Sequence, residues 1–291
     1  MILKISGINI KIEVEDFFNQ NTCVVNNEKY QIIIKYLKSF DVPISLTFLY
    51  EIDKINIYEN NNFFYFLSDK DIILQIDSNN SVWEVMINKK LSKNALKEII
   101  LKKVLPLYCY VTSTALPLHA TGVIRDNKLL CFSGFSTSGK STLAAHMICN
   151  KGYSLVSDDV LNLFFRCNEV HTFPTCTELK LRKDSLEKLG CIDSQIKKPM
   201  KQSIRLIDVI ILSETKNNEI NLERIEKNQI EILLQNLFAA KFCGFSNEFL
   251  NLLTKLKDSL KFWELSYPRS FSSLDNVGET IIKKFEEPNY E

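Results

Sequence analysis

The chain has 291 residues, of which 45% are hydrophobic and 24% are charged, a composition that suits one large or two modest globular domains. Its formal net charge of +1 supplies no bulk attraction to nucleic acid or to an anionic membrane, so we expect neither as a partner. The N-terminus lacks the apolar core of a signal peptide, and there is no apolar run of about 18 residues. These features predict a cytoplasmic protein without a membrane span.

The eight cysteines contain no C-x-x-C pair, and three of them, Cys109, Cys131 and Cys149, lie inside apolar segments. Spaced metal-binding or disulfide frameworks are therefore disfavoured. We interpret all eight as reduced thiols.

The first 90 residues are rich in predicted strands. KISGINIKIEV alternates apolar and polar residues, and FFYFLS, DIILQID and SVWEVMIN follow one another across short polar turns, as in an antiparallel meander. A helix is predicted from Asn94 to about Tyr110, with Pro106 and Pro117 bending or ending it. We place a β-rich N-terminal domain at residues 1–95 and a second domain at 96–291, with a boundary between 90 and 118.

A compact unit follows. ATGVIRD and KLLCFSG are predicted strands around an Asp126–Asn127 turn, a helix is expected after Gly139 with its end near Gly152, and YSLVSDD returns as a strand. Strand, glycine loop, helix and strand form the context that a phosphate-binding loop requires.

The remaining segments alternate between the two-residue apolar period of strands and the 3.6-residue period of helices. SIRLIDVIILSE and FWELSYPR are predicted strands, and helical patterns cover about 220–242, 247–260 and the C-terminal SLDNVGETIIKKFEE. The expected fold class is α/β.

GFSTSGKST, residues 134–142, matches the phosphate-loop pattern G-x-x-x-x-G-K-[ST]. In such loops the lysine, here Lys140, reaches the β- and γ-phosphates, and the hydroxyl of Ser141 binds Mg²⁺. The chain has no N-K-x-D to read guanine and no L-S-G-G-Q, which disfavours a GTPase and an ABC-type motor. The predicted nucleotide contacts are Gly134, Phe135, Ser136, Thr137, Ser138, Gly139, Lys140, Ser141 and Thr142.

Two adjacent carboxylates, Asp158 and Asp159, stand at the end of a predicted strand, where a parallel sheet would bring them to the loop. One carboxylate can help hold Mg²⁺ while the other takes the proton of an attacking hydroxyl. His119, in PLHATG, begins a strand that pairs with the one feeding the loop. It would then hydrogen-bond to the base, although a structural role is an equal alternative.

Together, LHATGVIRDNKLLCFSGFSTSGKSTLA and KGYSLVSDDVLNL resemble the HPr serine kinase family, and more closely its shortened relatives found with ribosomal-peptide clusters, such as lasso-peptide kinases. The resemblance covers about residues 95–285 and is strong over 117–163. It implies the HPr kinase/carboxykinase-like P-loop fold, with a mixed sheet. It also implies that Asp159 is the general base, Asp158 lies near the metal, and His119 contacts the catalytic aspartate.

The chain departs from that family downstream of the aspartates. TELKLR, residues 177–182, replaces a glycine-rich E-I-R-G-x-G segment, so neither the reverse, phosphorolytic activity nor HPr as substrate is carried over. Glu178 is the candidate for the family's magnesium-binding glutamate. The metal ligands implied by the loop and the resemblance are thus Ser141, Asp158 and Glu178.

Two basic features remain. Lys197, Lys198, Lys201 and Arg205 form either a solvated loop or a mobile segment that closes on phosphates or an acidic substrate. Arg269, at a predicted strand end, is a candidate contact for nucleotide or acceptor.

The residues predict an ATP- and Mg²⁺-dependent kinase that phosphorylates a hydroxyl. The resemblance implies a serine of a peptide or small protein, with a lasso-type precursor peptide as one acceptor, and it allows a homo-oligomer. Two alternatives stay open: a kinase for a small metabolite, and a regulatory protein that binds nucleotide without transferring phosphate.

Overall fold

The structure is a computed structural model of the whole chain. It describes residues 2–5, 8–12, 32–37, 47–52, 55–60, 63–68, 71–77, 83–88, 99–111, 115–135, 137–174, 179, 181, 185, 188–189, 203–217, 219–238 and 247–286.

The chain divides into two compact units. The first comprises Met1–Lys103 together with Lys241–Gly244, and the second comprises Val104–Ala240 together with Phe245–Glu291. The break between Lys103 and Val104 falls inside the interval of 90–118 given for the boundary, and the domain limits of 1–95 and 96–291 stay a prediction.

The first unit contains one sheet of eight strands. In chain order these are β1 (Ile2–Ile5), β2 (Ile8–Ile12), β3 (Ile32–Leu37), β4 (Thr47–Ile52), β5 (Ile55–Asn60), β6 (Phe63–Ser68), β7 (Asp71–Asp77) and β8 (Trp83–Asn88). In space they run β1-β2-β3-β8-β7-β6-β5-β4, and β3 pairs in parallel with both β2 and β8. The predicted antiparallel meander is confirmed for β6, β7 and β8.

One face of this sheet is strongly apolar. Register places Ile57 opposite Phe66, and Phe64 and Val85 on either side of Ile76. All five side chains are buried, because alternate residues of neighbouring strands point to the same face and exclude water together.

The second unit is a mixed sheet with helices, so the predicted α/β class with a mixed sheet is confirmed at this coarse level. Its helices are α1 (Leu105–Val111), α2 (Lys140–Lys151), α3 (Gln229–Asn236), α4 (Asn247–Ser259) and α5 (Leu274–Phe285). Its strands are β9 (Leu116–Arg125), β10 (Lys128–Ser133), β11 (Ser154–Ser157), β12 (Val160–Arg166), β13 (Glu169–Thr172), β14 (Ile204–Glu214), β15 (Asn221–Ile225) and β16 (Lys261–Tyr267).

Strand β9 organises this sheet. Its first half pairs with β12, and its second half lies between β10 and β11, antiparallel to both. The β9–β10 hairpin turns at Asp126 and Asn127, whose φ values of 49° and 62° are those of a tight two-residue turn. The predicted turn is confirmed.

Four strands end at one edge of the sheet. Strands β10 and β11 are both antiparallel to β9, so they run in the same direction. Strand β14 is parallel to β10, and β16 is parallel to β14, so all four strands share that direction. The sequence argument assumed a parallel sheet to bring Asp158 and Asp159 to the loop. The structure achieves the same placement through the antiparallel strand β9.

The core that supports this edge lies between the sheet and helices α2 and α5. Leu143 and Met147 of α2, Val277 and Ile281 of α5, and Phe132 of β10 are all fully buried in one cluster. Helix α2 ends at Gly152, whose φ of 76° allows the left-handed cap predicted there.

One predicted helix was wrong in part. The segment predicted as helical over 220–242 begins as strand β15, paired with β16, and among its described residues the α-helix covers Gln229–Asn236. The first helix ends at Val111, close to the predicted end at about Tyr110. It continues through Pro106, after a π-helical turn at Ile100–Val104, so Pro106 does not end it.

Cys149 is disulfide-bonded, so the expectation of eight reduced thiols was wrong as well. Sequence spacing does not reveal which distant cysteines approach within bonding distance. Cys109 and Cys131 are buried and Cys167 is exposed, and none of these three forms a disulfide. Within the described ranges, no helix combines the length and the apolar character needed to cross a membrane.

Candidate functional site

A pocket of about 520 Å³ opens at the sheet edge where β10, β11, β14 and β16 end. The loop after β10 and the start of α2 form one wall, and the segment after β16 forms another. The lining residues are His119, Thr137, Ser138, Gly139, Lys140, Ser141, Thr142, Asp159, Leu181, Ser185, Tyr267, Arg269, Ser270, Phe271 and Leu274.

The loop from Gly134 to Gly139 brings the N-terminus of α2 into this pocket. Gly139 caps the helix with a φ of 93° and no side-chain cap, and its carbonyl accepts the N–H of Leu143 at 2.9 Å. The first N–H groups of a helix have no intrahelical acceptor and carry partial positive charge. This wall therefore suits an anion.

Ser138 supplies an independent sign of a missing partner. Its side chain is 2% exposed, and its Oγ finds no hydrogen-bond partner in the described part of the chain. An unsatisfied buried hydroxyl costs about 1–3 kcal/mol. A phosphate oxygen in the pocket would satisfy it.

Lys140 is folded back onto the loop. Its Nζ donates to the carbonyl oxygens of Gly134 at 2.9 Å and Phe135 at 3.0 Å. Burial lowers the pKa of Lys140, while the charges of Asp159 and Asp158 oppose that shift. The ammonium thus lies between an anion-binding loop and two carboxylates. The Phe135 side chain is 74% exposed and does not line the pocket.

Asp158 is buried beneath the pocket. Its Oδ1 accepts hydrogen bonds from Thr121 Oγ1 and from Ser141 Oγ, both at 3.0 Å. The carboxylate is thereby held against the first turn of α2, and its orientation is set from two elements.

Asp159 occupies a different environment. It is half-buried, lines the pocket and has a φ of 76°, a left-handed conformation that is uncommon for a residue with a side chain. The Asp159 carbonyl accepts the N–H of Ala120 at 3.1 Å, which fixes this turn against β9. Backbone strain of this kind is often kept at functional sites.

His119 lies next to Asp159 across the β9–β12 pairing, where it is the register partner of Val160. Its carbonyl accepts the hydroxyl of Ser133 at 2.9 Å, and the residue lines the same pocket as Asp159. His119 and Asp159 therefore line the same pocket, and a bond between their side chains stays a prediction.

Arg269 crosses the loop from the other wall. Its Nη1 donates to the carbonyl of Thr137 at 3.2 Å and lies 3.3 Å from Glu214 Oε2 at the end of β14. The guanidinium is one-third exposed and lines the pocket, where it can contact an anionic ligand.

The oxygen atoms of Ser141 and Asp158 fit a magnesium ion. Mg²⁺ prefers hard oxygen ligands and often uses one or two carboxylates together with substrate phosphates. A magnesium site that uses substrate phosphates needs only one or two protein ligands. Within the described ranges, no group of three His, Cys, Asp or Glu side chains is placed to hold a metal.

Several predicted contacts lie outside the described residues: Ser136, Glu178, Lys197, Lys198 and Lys201. Arg205 is described and lies at the start of β14, the end of that strand remote from the pocket. It pairs with Glu169 of β13 at 3.1 Å. The hypothesis that Arg205 closes on the phosphates is therefore not supported by its position.

Three residues of the site were not assigned roles from the sequence. Thr121 holds Asp158, Glu214 pairs with Arg269, and Tyr267 lines the pocket opposite the loop. The sequence could have indicated a role for Thr121, because it lies two residues after His119 and alternate residues of a strand point to the same face. Glu214 and Tyr267 stand at the ends of predicted strands, but only the strand order brings them to this edge.

The chain matches no protein-family model and none of the curated proteins. Among solved structures it is similar to the HPr(Ser) kinase/phosphatase from Coxiella burnetii, with 14% sequence identity and a TM-score of 0.31. That match covers 59% of this chain and 99% of the other. Because the sequence identity and the TM-score are both this low, the chemistry of the site has to be inferred from the residues of this chain.

Proposed function

We propose that the protein is an ATP- and Mg²⁺-dependent kinase that transfers the γ-phosphoryl group to a serine hydroxyl of a peptide or small protein. The observation that carries the proposal is that the two adjacent aspartates occupy different environments. Asp158 is buried and bonded to Ser141, whereas Asp159 faces the same pocket as Lys140. Simple nucleotide binding does not require a second carboxylate in the pocket.

In this proposal the N-terminus of α2 and Lys140 bind the phosphates, and Lys140 exchanges its loop carbonyls for phosphate oxygens. Asp159 accepts the proton of the acceptor hydroxyl as its oxygen attacks the γ-phosphorus. A new P–O bond forms to the acceptor, the bond from the γ-phosphorus to the bridging oxygen breaks, and ADP leaves with that electron pair. His119 keeps Asp159 oriented.

Ser141 and Asp158 would hold Mg²⁺, which when bound neutralises phosphate charge. Thr121 orients Asp158 for that role through its hydrogen bond. Arg269 adds a positive charge on the opposite wall, and its partner Glu214 keeps the guanidinium at the rim of the loop.

The acceptor class rests on the sequence resemblance of residues 117–163 to HPr kinase-like enzymes. The pocket supports a phosphate donor and a base but carries no signature of one acceptor. A precursor peptide encoded beside the gene is the acceptor we propose to test.

The deciding experiment is intact-mass spectrometry of that peptide after incubation with the protein, Mg²⁺ and ATP. We expect the mass of one phosphate to be added by the wild type and not by Asp159→Asn, which removes the base but keeps the side-chain size. Asp126→Asn, in the exposed β9–β10 turn, is the matched control and should retain full activity.

Nucleotide binding measured on the same variants separates the alternatives. An Asp159→Asn protein that still binds ATP but no longer phosphorylates supports the kinase. A wild type that binds ATP and phosphorylates no peptide would move the proposal to a small-metabolite acceptor. Equal properties of wild type and Asp159→Asn would point to a nucleotide-binding regulatory protein.

A further inference from the structure

Tyr267 is the last residue of β16 and forms the part of the pocket wall opposite the start of α2. Its side chain is 2% exposed, so the ring is held by the core beneath the site. A Cβ atom placed on Gly139 would lie 2.9 Å from the Tyr267 hydroxyl. The phenol therefore touches the residue that caps the helix, and only glycine leaves room for it.

The Tyr267 ring is buried, but its hydroxyl faces the pocket and makes no hydrogen bond to another described side chain. A buried phenol ring with its polar end directed into a site is placed to bond a ligand there. Across the same pocket wall, the buried Oγ of Ser138 also lacks a partner. A pocket-facing phenol and a buried, unpaired serine hydroxyl thus flank the N-terminus of α2, and a tetrahedral anion there would accept from both.

We propose that the Tyr267 hydroxyl donates a hydrogen bond to the nucleotide phosphate bound at the N-terminus of α2. This inference rests on the proposed function and deepens it, because it assigns Tyr267 as a phosphate-binding residue. The chain from Tyr267 to Arg269 then contacts the loop twice, at Gly139 through the phenol and at Thr137 through the guanidinium. The phosphates are enclosed from both sides.

The electrostatic environment suits a donor. Burial raises the pKa of Tyr267 to about 12, against the opposing effect of the nearby Arg269 charge. The phenol therefore stays protonated at neutral pH and does not repel a phosphate. It also does not compete with Asp159 for the proton of the acceptor.

The test is Tyr267→Phe, which removes only the hydroxyl and keeps the buried ring. Binding of the non-hydrolysable analogue AMP-PNP with Mg²⁺, and of inorganic tripolyphosphate with Mg²⁺, would be measured by calorimetry. We expect the affinity for both to fall about tenfold or more, since a hydrogen bond to a charged group is lost. The melting temperature of the ligand-free protein should stay close to that of the wild type.

Tyr153→Phe is the matched control, because the Tyr153 hydroxyl bonds Glu286 and the residue does not line the pocket. It should leave both affinities unchanged. Wild-type affinity in Tyr267→Phe, or a loss for AMP-PNP with none for tripolyphosphate, would overturn the inference and leave the proposed kinase standing. A wild type that binds neither ligand would overturn the nucleotide site itself, and the inference with it.

Discussion

Asp158 and Asp159 are adjacent in the chain, yet their identical side chains have different surroundings. The left-handed backbone at Asp159 turns the chain between them, so one carboxylate points under α2 and the other lines the pocket. The buried carboxylate of Asp158 is held in one orientation by two donors, whereas the half-buried carboxylate of Asp159 can reach a ligand in the pocket.

Gly139 leaves no room for a Cβ atom beside the Tyr267 hydroxyl. We expect Gly139→Ala to lower the free energy of unfolding by more than the ~1–2 kcal/mol that a left-handed alanine costs, because its Cβ would also meet the Tyr267 hydroxyl. Urea unfolding would measure the loss. Nucleotide affinity should fall as well.

The matched control is Gly152→Ala. Gly152 has a similar φ of 76°, but a Cβ there meets nothing within 4 Å, so only the backbone cost of ~1–2 kcal/mol applies. Adding Tyr267→Phe to Gly139→Ala should recover part of the stability. Equal losses for the two single glycine variants would show that the predicted clash with the phenol is relieved without cost.

At the scale of elements, the contact between α2 and α5 holds the pocket wall in place, because Leu274 at the start of α5 lines the pocket. His146 of α2 is buried at this contact. Its Nδ1 lies 3.0 Å from Asn150 Nδ2, and its Nε2 lies 3.5 Å from Asp275 Oδ1 of α5.

Burial lowers the pKa of His146 below its ordinary value of 6.5, an effect partly opposed by Asp275 and Glu279 and reinforced by Lys151. The unfolded chain then binds this proton more readily than the folded one. His146 therefore contributes stability that is fully present above pH ~6.5 and is lost as the pH falls through the folded-state pKa.

We expect urea unfolding midpoints of the wild type to drop more steeply below pH ~6.5 than those of His146→Gln, which carries no titrating group at this contact. Far-UV circular dichroism at several pH values would record both curves. Parallel curves for the two proteins would contradict the assignment of this pH dependence to His146.

At the scale of the whole molecule, the proposed ligand links the site to global stability. A ligand that binds only the folded state, at about 100 times its Kd, stabilises that state by about 2.7 kcal/mol. We expect Mg²⁺ with AMP-PNP to raise the melting temperature of the transition that involves the second unit. Differential scanning calorimetry would measure the shift.

Two changes should remove that shift. Lys140→Ala deletes the ammonium between the loop and the carboxylates, and EDTA removes the metal that the oxygens of Ser141 and Asp158 suit. The shift should be smaller in EDTA and nearly absent in Lys140→Ala. A full shift in Lys140→Ala would place the nucleotide elsewhere.

The sequence alone determined the elements with strong local signals. The β9–β10 turn, the loop, helix α2 and its glycine cap, and the apolar strands β14 and β16 all follow from short-range patterns of residue type. Local patterns failed at β15, whose charged residues look helical but suit an exposed strand at the sheet edge. They also failed to predict that Cys149 is disulfide-bonded.

The way in which these elements combine to form one pocket depends on contacts between distant parts of the chain. The strand order brings the ends of β10, β11, β14 and β16 to one edge, and so joins Asp159, Glu214 and Tyr267, which lie far apart in the chain. It also decided which aspartate is buried. Contacts of this kind depend on long-range packing and backbone direction, and residue type and local periodicity carry no record of either.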